Sequence, residues 1–429
     1  MINLEKIQAL KDEFIYSKTL ESGLKVAVHP KQEFHNIYVT LQVNFGGTCI
    51  KYKTKDSITE IPAGVAHFLE HIMFHNSGFD LPERFAISGA EINAYTSKSI
   101  TAYQFKTINH IHELLSAFMD NFIKFDVSDE VIEKERQIII HEIKMSKDSI
   151  HFNLYKDLMK MMYTDYCIYS DVGGETQDVL KITHDILEKS FNTFYNPENM
   201  TLVVTGNVVY EEIFELLENH QFNKKQWPKF NKIKPIINYD KLKEHHIVKT
   251  KNDVEEPMIN FTVRIPRTLI LQKDREFLHI ALGSIIANVL GLGSKTFDYL
   301  EKNNLMNISF YTKLTIEKSY GYLSVFIQTN KVLRYKKTML DILLKIAKEP
   351  LDKELFEVNK RNVLGNYITL FDNLSRVHNL LCNTIIEGVN IDQYLQHIIN
   401  LRLEDLEPYK AIFTNDNIYS ITYLKAKKN

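Results

Sequence analysis

The stretch HFLEHIMFH, residues 67–75, places two histidines four positions apart with a glutamate directly before the second. Residues four apart on a helix lie on one face, so the imidazoles of His67 and His71 can approach a single metal ion. Zinc accepts such nitrogen ligands at roughly 2.0–2.1 Å. Glu70 lies on the same face, close enough to contact a water held by that metal, and is therefore a candidate general base.

The spacing His-x-x-Glu-His is the reverse of His-Glu-x-x-His and is known as the inverzincin pattern. The chain contains 16 histidines, so such a pair also arises by chance, with both side chains solvated or bonded locally. A catalytic zinc takes three protein ligands and keeps one position open, so the metal hypothesis requires a further ligand elsewhere. His75 does not supply it, because three histidines on one helix would span roughly 11–12 Å. We expect a structural or supporting role for His75.

The composition is that of a globular protein that does not bind nucleic acid. Lys and Arg number 52 and Asp and Glu 54 in 429 residues, a net charge of -2, and no basic patch is interleaved with aromatic residues. Three distant cysteines (Cys49, Cys167 and Cys382) show no metal-ligand spacing and favour a reducing compartment. Residues 1–6 carry no apolar signal segment and no run of 18 apolar residues occurs, so we expect a cytoplasmic protein without a membrane span.

The order of elements occurs twice along the chain: strands, an apolar helix, a hairpin, further helices and a final strand. In the first half the strands and hairpin are predicted at 24–28, 36–45, 91–107 and 201–206. In the second half they are predicted at 258–263, 309–315, 322–329 and 418–423. We therefore predict an α+β protein with two structurally similar domains, each an antiparallel or mixed β-sheet packed with helices. The predicted boundaries are 1–219 for the metal-bearing domain, with a polar lead-in at 1–13, 220–240 for a linker, and 241–429 for a second domain without the motif.

Several of these segments together resemble the M16 peptidases, the family of pitrilysin, insulysin and the mitochondrial processing peptidase. The resemblance covers nearly the whole chain and rests on HFLEH with Phe74, on GAEINAYT (89–96) followed by Thr101 and Tyr103, on Glu135-Arg136 with Glu142, and on 195–206. It implies a LuxS/MPP-like metallohydrolase fold and a bacterial member of the single-half type, as found in subfamilies B and C.

The resemblance also implies the roles of the site residues. His67, His71 and Glu142 would hold one Zn²⁺ per chain, and Glu70 would be the catalytic base. Glu135, two helical turns before Glu142, would support His71 instead of binding the metal, although a solvated helix glutamate is the alternative reading. His141 points about 100° away from its neighbour Glu142 on a helix, so we assign it no ligand role. The sequence is also compatible with manganese or cobalt as the metal in the cell.

The segment Asn93-Ala94-Tyr95 resembles the strand on which the family docks its substrate. An extended peptide can add to an exposed sheet edge, where backbone hydrogen bonds provide affinity and alternate side-chain pockets provide selectivity. The alternative is an ordinary hairpin strand. The resemblance to the family implies that Asn93, Ala94 and Tyr95 bind the substrate.

The chain departs from the family pattern at the arginine and tyrosine that grip the substrate backbone. The arginine position holds Leu300 or Glu301, depending on the alignment, and the tyrosine position holds Asn307, with Tyr311 four residues further on. We therefore expect a heterodimer with a sister M16 chain that lacks the zinc motif and supplies the Arg/Tyr pair. The two chains would close as a clamshell around the peptide.

The resulting functional prediction is a zinc metalloendopeptidase that cleaves short unfolded peptides, with leader or precursor processing during bacteriocin maturation as a narrower version. The nearest alternative is a homodimer that degrades oligopeptides generally. A different class is a non-catalytic assembly or peptide-binding subunit. Such a subunit would have no need of Glu70.

Overall fold

The computed structural model describes residues 5–10, 13–55, 57–76, 80–238, 245–251, 254–271, 274–387 and 391–425. The chain divides into two compact units. The first comprises residues 1–145, 170–236 and 368–393, and the second comprises residues 146–169, 237–367 and 394–429. Each unit thus includes one helical segment from the other half of the sequence.

The first unit contains a seven-stranded sheet in the order β1-β2-β3-β9-β4-β8-β7. Strands β3 and β9 are parallel and the other neighbours are antiparallel, so the sheet is mixed. A small sheet of order β10-β5-β6 lies in the same unit. These strands are β1 (Glu5–Leu10), β2 (Glu13–Thr19), β3 (Lys25–Pro30), β4 (Ile37–Val43), β5 (Lys51–Lys53), β6 (Ile58–Glu60), β7 (Glu91–Thr96), β8 (Thr101–Thr107), β9 (Met200–Gly206) and β10 (Lys234–Pro235).

The second unit repeats this topology in a five-stranded sheet of order β11-β15-β12-β14-β13. Its one parallel pair, β11 with β15, corresponds to β3 with β9, and its edge hairpin β13-β14 corresponds to β7-β8. The strands are β11 (His246–Lys251), β12 (Met258–Arg264), β13 (Tyr311–Ile316), β14 (Gly321–Gln328) and β15 (Ile418–Lys425). The predicted α+β fold with two similar domains is confirmed.

Helices connect and cover both sheets. They are α1 (Val65–Met73), α2 (Leu81–Ile87), α3 (Ile111–Asp120), α4 (Asp129–Asp148), α5 (Ile150–Met162), α6 (Tyr166–Tyr169), α7 (Thr176–Val179), α8 (His184–Phe194), α9 (Tyr210–Asn219), α10 (Gln221–Lys224), α11 (Arg267–Ile270), α12 (Arg275–Leu290), α13 (Lys295–Lys302), α14 (Val332–Ile346), α15 (Lys353–Leu370), α16 (Leu374–Glu387), α17 (Ile391–Asn400) and α18 (Glu407–Lys410). Short 3₁₀ turns occur at Pro197–Asn199 and Leu403–Leu406.

The two faces of each sheet are covered by helices from different parts of the chain. In the first unit α1 packs against β7 and β8, and α16 packs against β9 and β4. In the second unit α5 packs against β15 and α14 against β12. Burial on both faces explains why β9 is buried at every position and reads as a continuous apolar run.

The structure differs from the sequence prediction at three places. The lead-in at 1–13 contains β1, which pairs antiparallel with β2, because backbone bonds to an exposed strand edge require no apolar pattern. Residues 220–236 of the predicted linker belong to the first unit, where Trp227 donates to the Phe222 carbonyl at 2.8 Å, while 239–240 lie outside the described residues. Segments 146–169 and 368–393 cross the predicted domain boundary.

Among the residues that the structure describes, no single helix is both long enough and apolar enough to cross a membrane. The bent pair of α12 and α13 meets these two criteria only when the helices are taken together.

Candidate metal centre

Helix α1 carries its motif on one face. Its other face buries Val65, Ala66, Phe68, Leu69, Ile72 and Met73. His67, Glu70 and His71 are left partly exposed, as expected for positions i, i+3 and i+4 of an amphipathic helix. The rings of His67 and His71 lie with centroids 4.7 Å apart. Burial of the apolar face therefore presents both imidazoles and the carboxylate together.

Helix α4 brings Glu142 to this face. Its Oε2 lies 3.9 Å from Nε2 of His67 and 3.5 Å from Nε2 of His71. The ligand atoms of the three residues all lie within 4.8 Å of one another. Ligands at zinc distances in a tetrahedron are separated by roughly 3.4 Å, so small side-chain adjustments would bring these three onto one ion. The structure thus brings the predicted ligands together.

The electrostatics of His67 suit a metal ligand. Burial, with a smaller contribution from His71, lowers the pKa of His67 from 6.5 to about 3. The imidazole is therefore neutral at physiological pH and keeps a lone pair for a metal. Its Nδ1 is buried without a hydrogen-bond partner among the described residues, whereas Nε2 faces Glu142. Two imidazole nitrogens and one carboxylate oxygen form a donor set that fits Zn²⁺.

Glu70 accepts a hydrogen bond from Thr96, whose Oγ1 lies 2.7 Å from Oε2 of the carboxylate. Burial raises the pKa of Glu70, and so does Glu142, while the Thr96 hydrogen bond and His71 oppose the rise. These opposing effects are typical of groups that exchange protons in active sites. Sequence reasoning missed Thr96. Strand alternation could have found it, since Ala94 and Thr96 share the face of β7 that is turned toward α1.

Glu135 lies beside His71, as predicted. Its Oε2 is 3.1 Å from Nδ1 of His71, and the residue is only 5% exposed. Its other oxygen, Oε1, lies 3.6 Å from Nε2 of His75. Glu135 therefore contacts the far side of a ligand imidazole and does not compete with Glu142. His75 follows the end of α1 and does not join the ligand set.

A glycine turn packs against the start of α1. A Cβ on Gly173 would lie 3.3 Å from Nδ1 of His67, and one on Gly174 would lie 2.5 Å from the Ala63 carbonyl oxygen. Gly64, which precedes α1 with φ 96°, would place a Cβ 2.4 Å from the Gly173 carbonyl oxygen. The close approach of two backbones explains why glycine occupies these positions.

Strand β7 forms one edge of its sheet and pairs with β8 on its other side. Asn93 and Tyr95 are exposed and Ala94 is half-buried, in strict alternation. The strand also packs against α1. The predicted substrate-binding residues are thus on an accessible sheet edge next to the helix that carries the metal motif.

The segment that would hold the arginine and tyrosine has other structural roles. Leu300 is fully buried in the core of the second unit, and the Asn307 side chain donates to the Gln328 carbonyl at 2.7 Å. Tyr311 stacks on Phe326 with ring centroids 5.1 Å apart. No arginine occurs between positions 291 and 311 of the sequence. This segment therefore provides no guanidinium for a substrate.

Two family models and a bacterial relative match this chain. Residues 57–170 match the family model described as insulinase (peptidase family M16), and residues 181–363 match the model of the peptidase M16 inactive domain. A Bacillus subtilis (strain 168) protein described as an uncharacterized zinc protease, YmfH, is 25% identical over 417 residues, which cover 95% of this chain and 94% of the relative.

Solved structures show the same fold. A structure described as an M16-like peptidase from Alicyclobacillus acidocaldarius aligns with a TM-score of 0.86 at 23% identity over 99% of both chains. Pitrilysin aligns with a TM-score of 0.76 at 17% identity over 99% of this chain and 46% of its own. The chain belongs to the M16 peptidase family.

Proposed function

We propose that this chain is a zinc-dependent endopeptidase that cleaves short unfolded peptides. The observation that carries the proposal is the convergence of His67, His71 and Glu142 beside the Glu70 carboxylate. A site for zinc storage would need the three ligands but not a neighbouring carboxylate held by a threonine. Names of relatives as zinc proteases support the same metal and reaction class.

The residues have complementary roles in peptide hydrolysis. His67, His71 and Glu142 would hold a Zn²⁺ ion, which when bound would supply the Lewis acidity that polarises a peptide carbonyl and lowers the pKa of water toward neutrality. Glu70 accepts the proton of the attacking water and delivers it to the leaving amine. Thr96 holds one carboxylate oxygen of Glu70, so the other is free to face the water. Glu135 lies 3.1 Å from Nδ1 of His71, a contact that orients the imidazole and would leave its Nε2 available as a metal ligand.

The substrate would bind in extended form along β7. Backbone groups of an edge strand can pair with another strand, so a peptide can bind there with little dependence on its sequence. In β7 the Ala94 N–H donates to Oδ1 of Asn93 at 2.9 Å, so a peptide that paired at this position would replace that bond. Folded proteins cannot present such a strand easily, which favours short or unfolded substrates. Asn93 and Tyr95, exposed on one face of β7, would contact alternate substrate side chains.

The working enzyme would be a heterodimer. Leu300, Glu301 and Asn307 provide no guanidinium or phenol, so a sister M16 chain without the metal motif would supply the Arg/Tyr pair. The chain aligns with about half of pitrilysin, in agreement with a second half provided by a partner. A narrower proposal is that this heterodimer trims the leader of a modified bacteriocin precursor.

The test is cleavage of an unstructured fluorogenic peptide by the zinc-loaded chain, first alone and then mixed with candidate sister chains. Activity that appears only on mixing, and that a chelator removes, is the expected result. Full activity of a monomeric chain would overturn the heterodimer. A complete absence of cleavage in every mixture, with zinc bound, would contradict the peptidase assignment.

A further inference from the structure

We propose that His75 is a positioning residue of the metal site, which acts through Glu135 on the ligand His71; the inference rests on the proposed zinc site. The three side chains form a series. Nδ1 of His71 lies 3.1 Å from Oε2 of Glu135, and Oε1 of Glu135 lies 3.6 Å from Nε2 of His75. Each oxygen of the carboxylate thus faces its own imidazole.

The burial of Glu135 makes the second contact important. Its side chain is 7% exposed, whereas those of His71 and His75 are 16% and 29% exposed. A buried carboxylate without partners is costly. Here His71 lies at hydrogen-bond distance from one oxygen of Glu135, and Nε2 of His75 approaches the other oxygen at 3.6 Å. If His75 did not occupy Oε1, the carboxylate could rotate away from His71. His75 would therefore fix the rotation of Glu135 about its side-chain axis.

The backbone around His75 is held firmly enough for this role. The Asn76 amide, 1% exposed, donates to the carbonyls of Asn121 at 2.6 Å and Lys124 at 2.8 Å. Its oxygen accepts from the Asp126 N–H at 2.8 Å. The Asn121 side chain in turn donates to the Met73 carbonyl at 2.6 Å. These contacts join the end of α1 to segment 121–126.

Asp80 extends the series on the outer side of His75. Its Oδ2 lies 3.9 Å from Nδ1 of His75, and its Oδ1 accepts from the Glu83 N–H at the start of α2. The ring of His75 is therefore placed between a buried carboxylate and a helix-capping one.

The test measures metal affinity and geometry instead of turnover. Zinc affinity is determined by competition with a chelating dye, and the visible absorption of the Co²⁺-substituted protein reports the coordination geometry. For His75→Leu we expect zinc binding to weaken roughly 3- to 10-fold, less than the roughly 10- to 100-fold typical of losing a direct partner of a ligand. His75→Gln, which keeps a donor near the position of Nε2, should restore affinity and spectrum.

A double-mutant cycle identifies the route of the effect. If His75 acts through Glu135, His75→Leu will weaken zinc binding in the wild-type background but not in a Glu135→Ala background. His112→Leu is the control, because His112 pairs with the exposed carboxylate of Glu212 at 3.4 Å in the same unit and not with Glu135. Thermal unfolding of each metal-free variant shows whether it is folded.

The outcomes separate the two proposals. Wild-type affinity and an unchanged cobalt spectrum in folded His75→Leu, or full additivity in the cycle, would overturn the role of His75 and leave the zinc site intact. Failure of the wild-type protein itself to bind zinc or cobalt would overturn the proposed function.

Discussion

The hydroxyl of Thr96 donates a hydrogen bond to Oε2 of Glu70, with 2.7 Å between the oxygens. Thr96 ends β7, the strand at the accessible edge of the first sheet, and Glu70 belongs to α1. The strand proposed to hold the peptide is thus bonded directly to the carboxylate proposed to accept the proton of the attacking water. A peptide that orders β7 would also fix the position of the base.

Loss of this hydrogen bond should reduce catalysis. A hydrogen bond to a charged group contributes about 1.5–3 kcal/mol, so we expect Thr96→Val to lower kcat/KM about 10- to 100-fold. The hydrogen bond lowers the pKa of Glu70, so its loss leaves burial to raise that pKa further. A base with a higher pKa is protonated at higher pH, and the acidic limb of the kcat/KM profile should shift upward in pH. Thr96→Ser keeps the donor and serves as the control; equal profiles for all three proteins would contradict the prediction.

Glu70→Gln should remove turnover and keep the metal. General acid–base groups contribute roughly 10²- to 10⁴-fold to rates, so activity in the assembled enzyme should fall by that order. Zinc content, measured by atomic absorption, should equal that of the wild-type protein because Glu70 is not a ligand.

Glu83→Gln, at an exposed position of α2, is the matched control and should be fully active. Wild-type turnover by the Glu70→Gln protein would show that Glu70 is not the general base.

Gly173→Ala should weaken metal binding. Its new methyl group would lie 3.3 Å from Nδ1 of His67 and 3.2 Å from Oδ1 of Asp171, so the imidazole must move. We expect zinc affinity to decrease about 10-fold, as for other changes that disturb the orientation of a ligand. Gly283→Ala in α12 meets nothing within 4 Å and should leave zinc binding unchanged. Equal affinities in the two variants, by dye competition, would refute the crowding argument.

His378 should contribute to acid unfolding. It is 2% exposed, with its nitrogens 2.7 Å from the Thr40 hydroxyl and 2.9 Å from the Thr205 hydroxyl, and burial lowers its pKa to about 3. The unfolded chain binds a proton near pH 6.5 that the folded chain does not accept until about pH 3. Stability should therefore fall as the pH decreases through this window, by about 1.4 kcal/mol per pH unit for this group.

The measurement is the free energy of urea unfolding of the metal-free protein at several pH values between these limits. His378→Gln, which cannot titrate, should show a shallower dependence than the wild-type protein. Identical slopes would mean that His378 gains its proton in the folded state.

Local sequence was sufficient to predict most helices and strands and part of the metal site. The pair His67 and His71 follows from helical periodicity alone, because i and i+4 side chains share a face wherever the helix forms. The 91–107 hairpin was predicted for a similar local reason, and it occurs. The repeated order of elements also predicted the two related sheets.

The assignment of Glu142 as the third ligand needed more than local pattern. Nothing in the spacing of 71 positions between His71 and Glu142 indicates contact, and the assignment came from family resemblance. The structure places its carboxylate 3.5 Å from Nε2 of His71. The contact arises because α4 packs its apolar face, with Ile132, Ile139 and Ile143, into the core that also holds α1.

The sequence by itself determined that His67, Glu70 and His71 share one face of a helix, since periodicity is a property of consecutive residues. Only the tertiary structure decided which distant residues lie together: Thr96 with Glu70, Glu135 with both His71 and His75, and Gly173 with His67. It also decided that residues 146–169 belong to the second unit and residues 368–393 to the first. These relationships depend on how separate elements bury their apolar faces together, which no stretch of consecutive residues specifies.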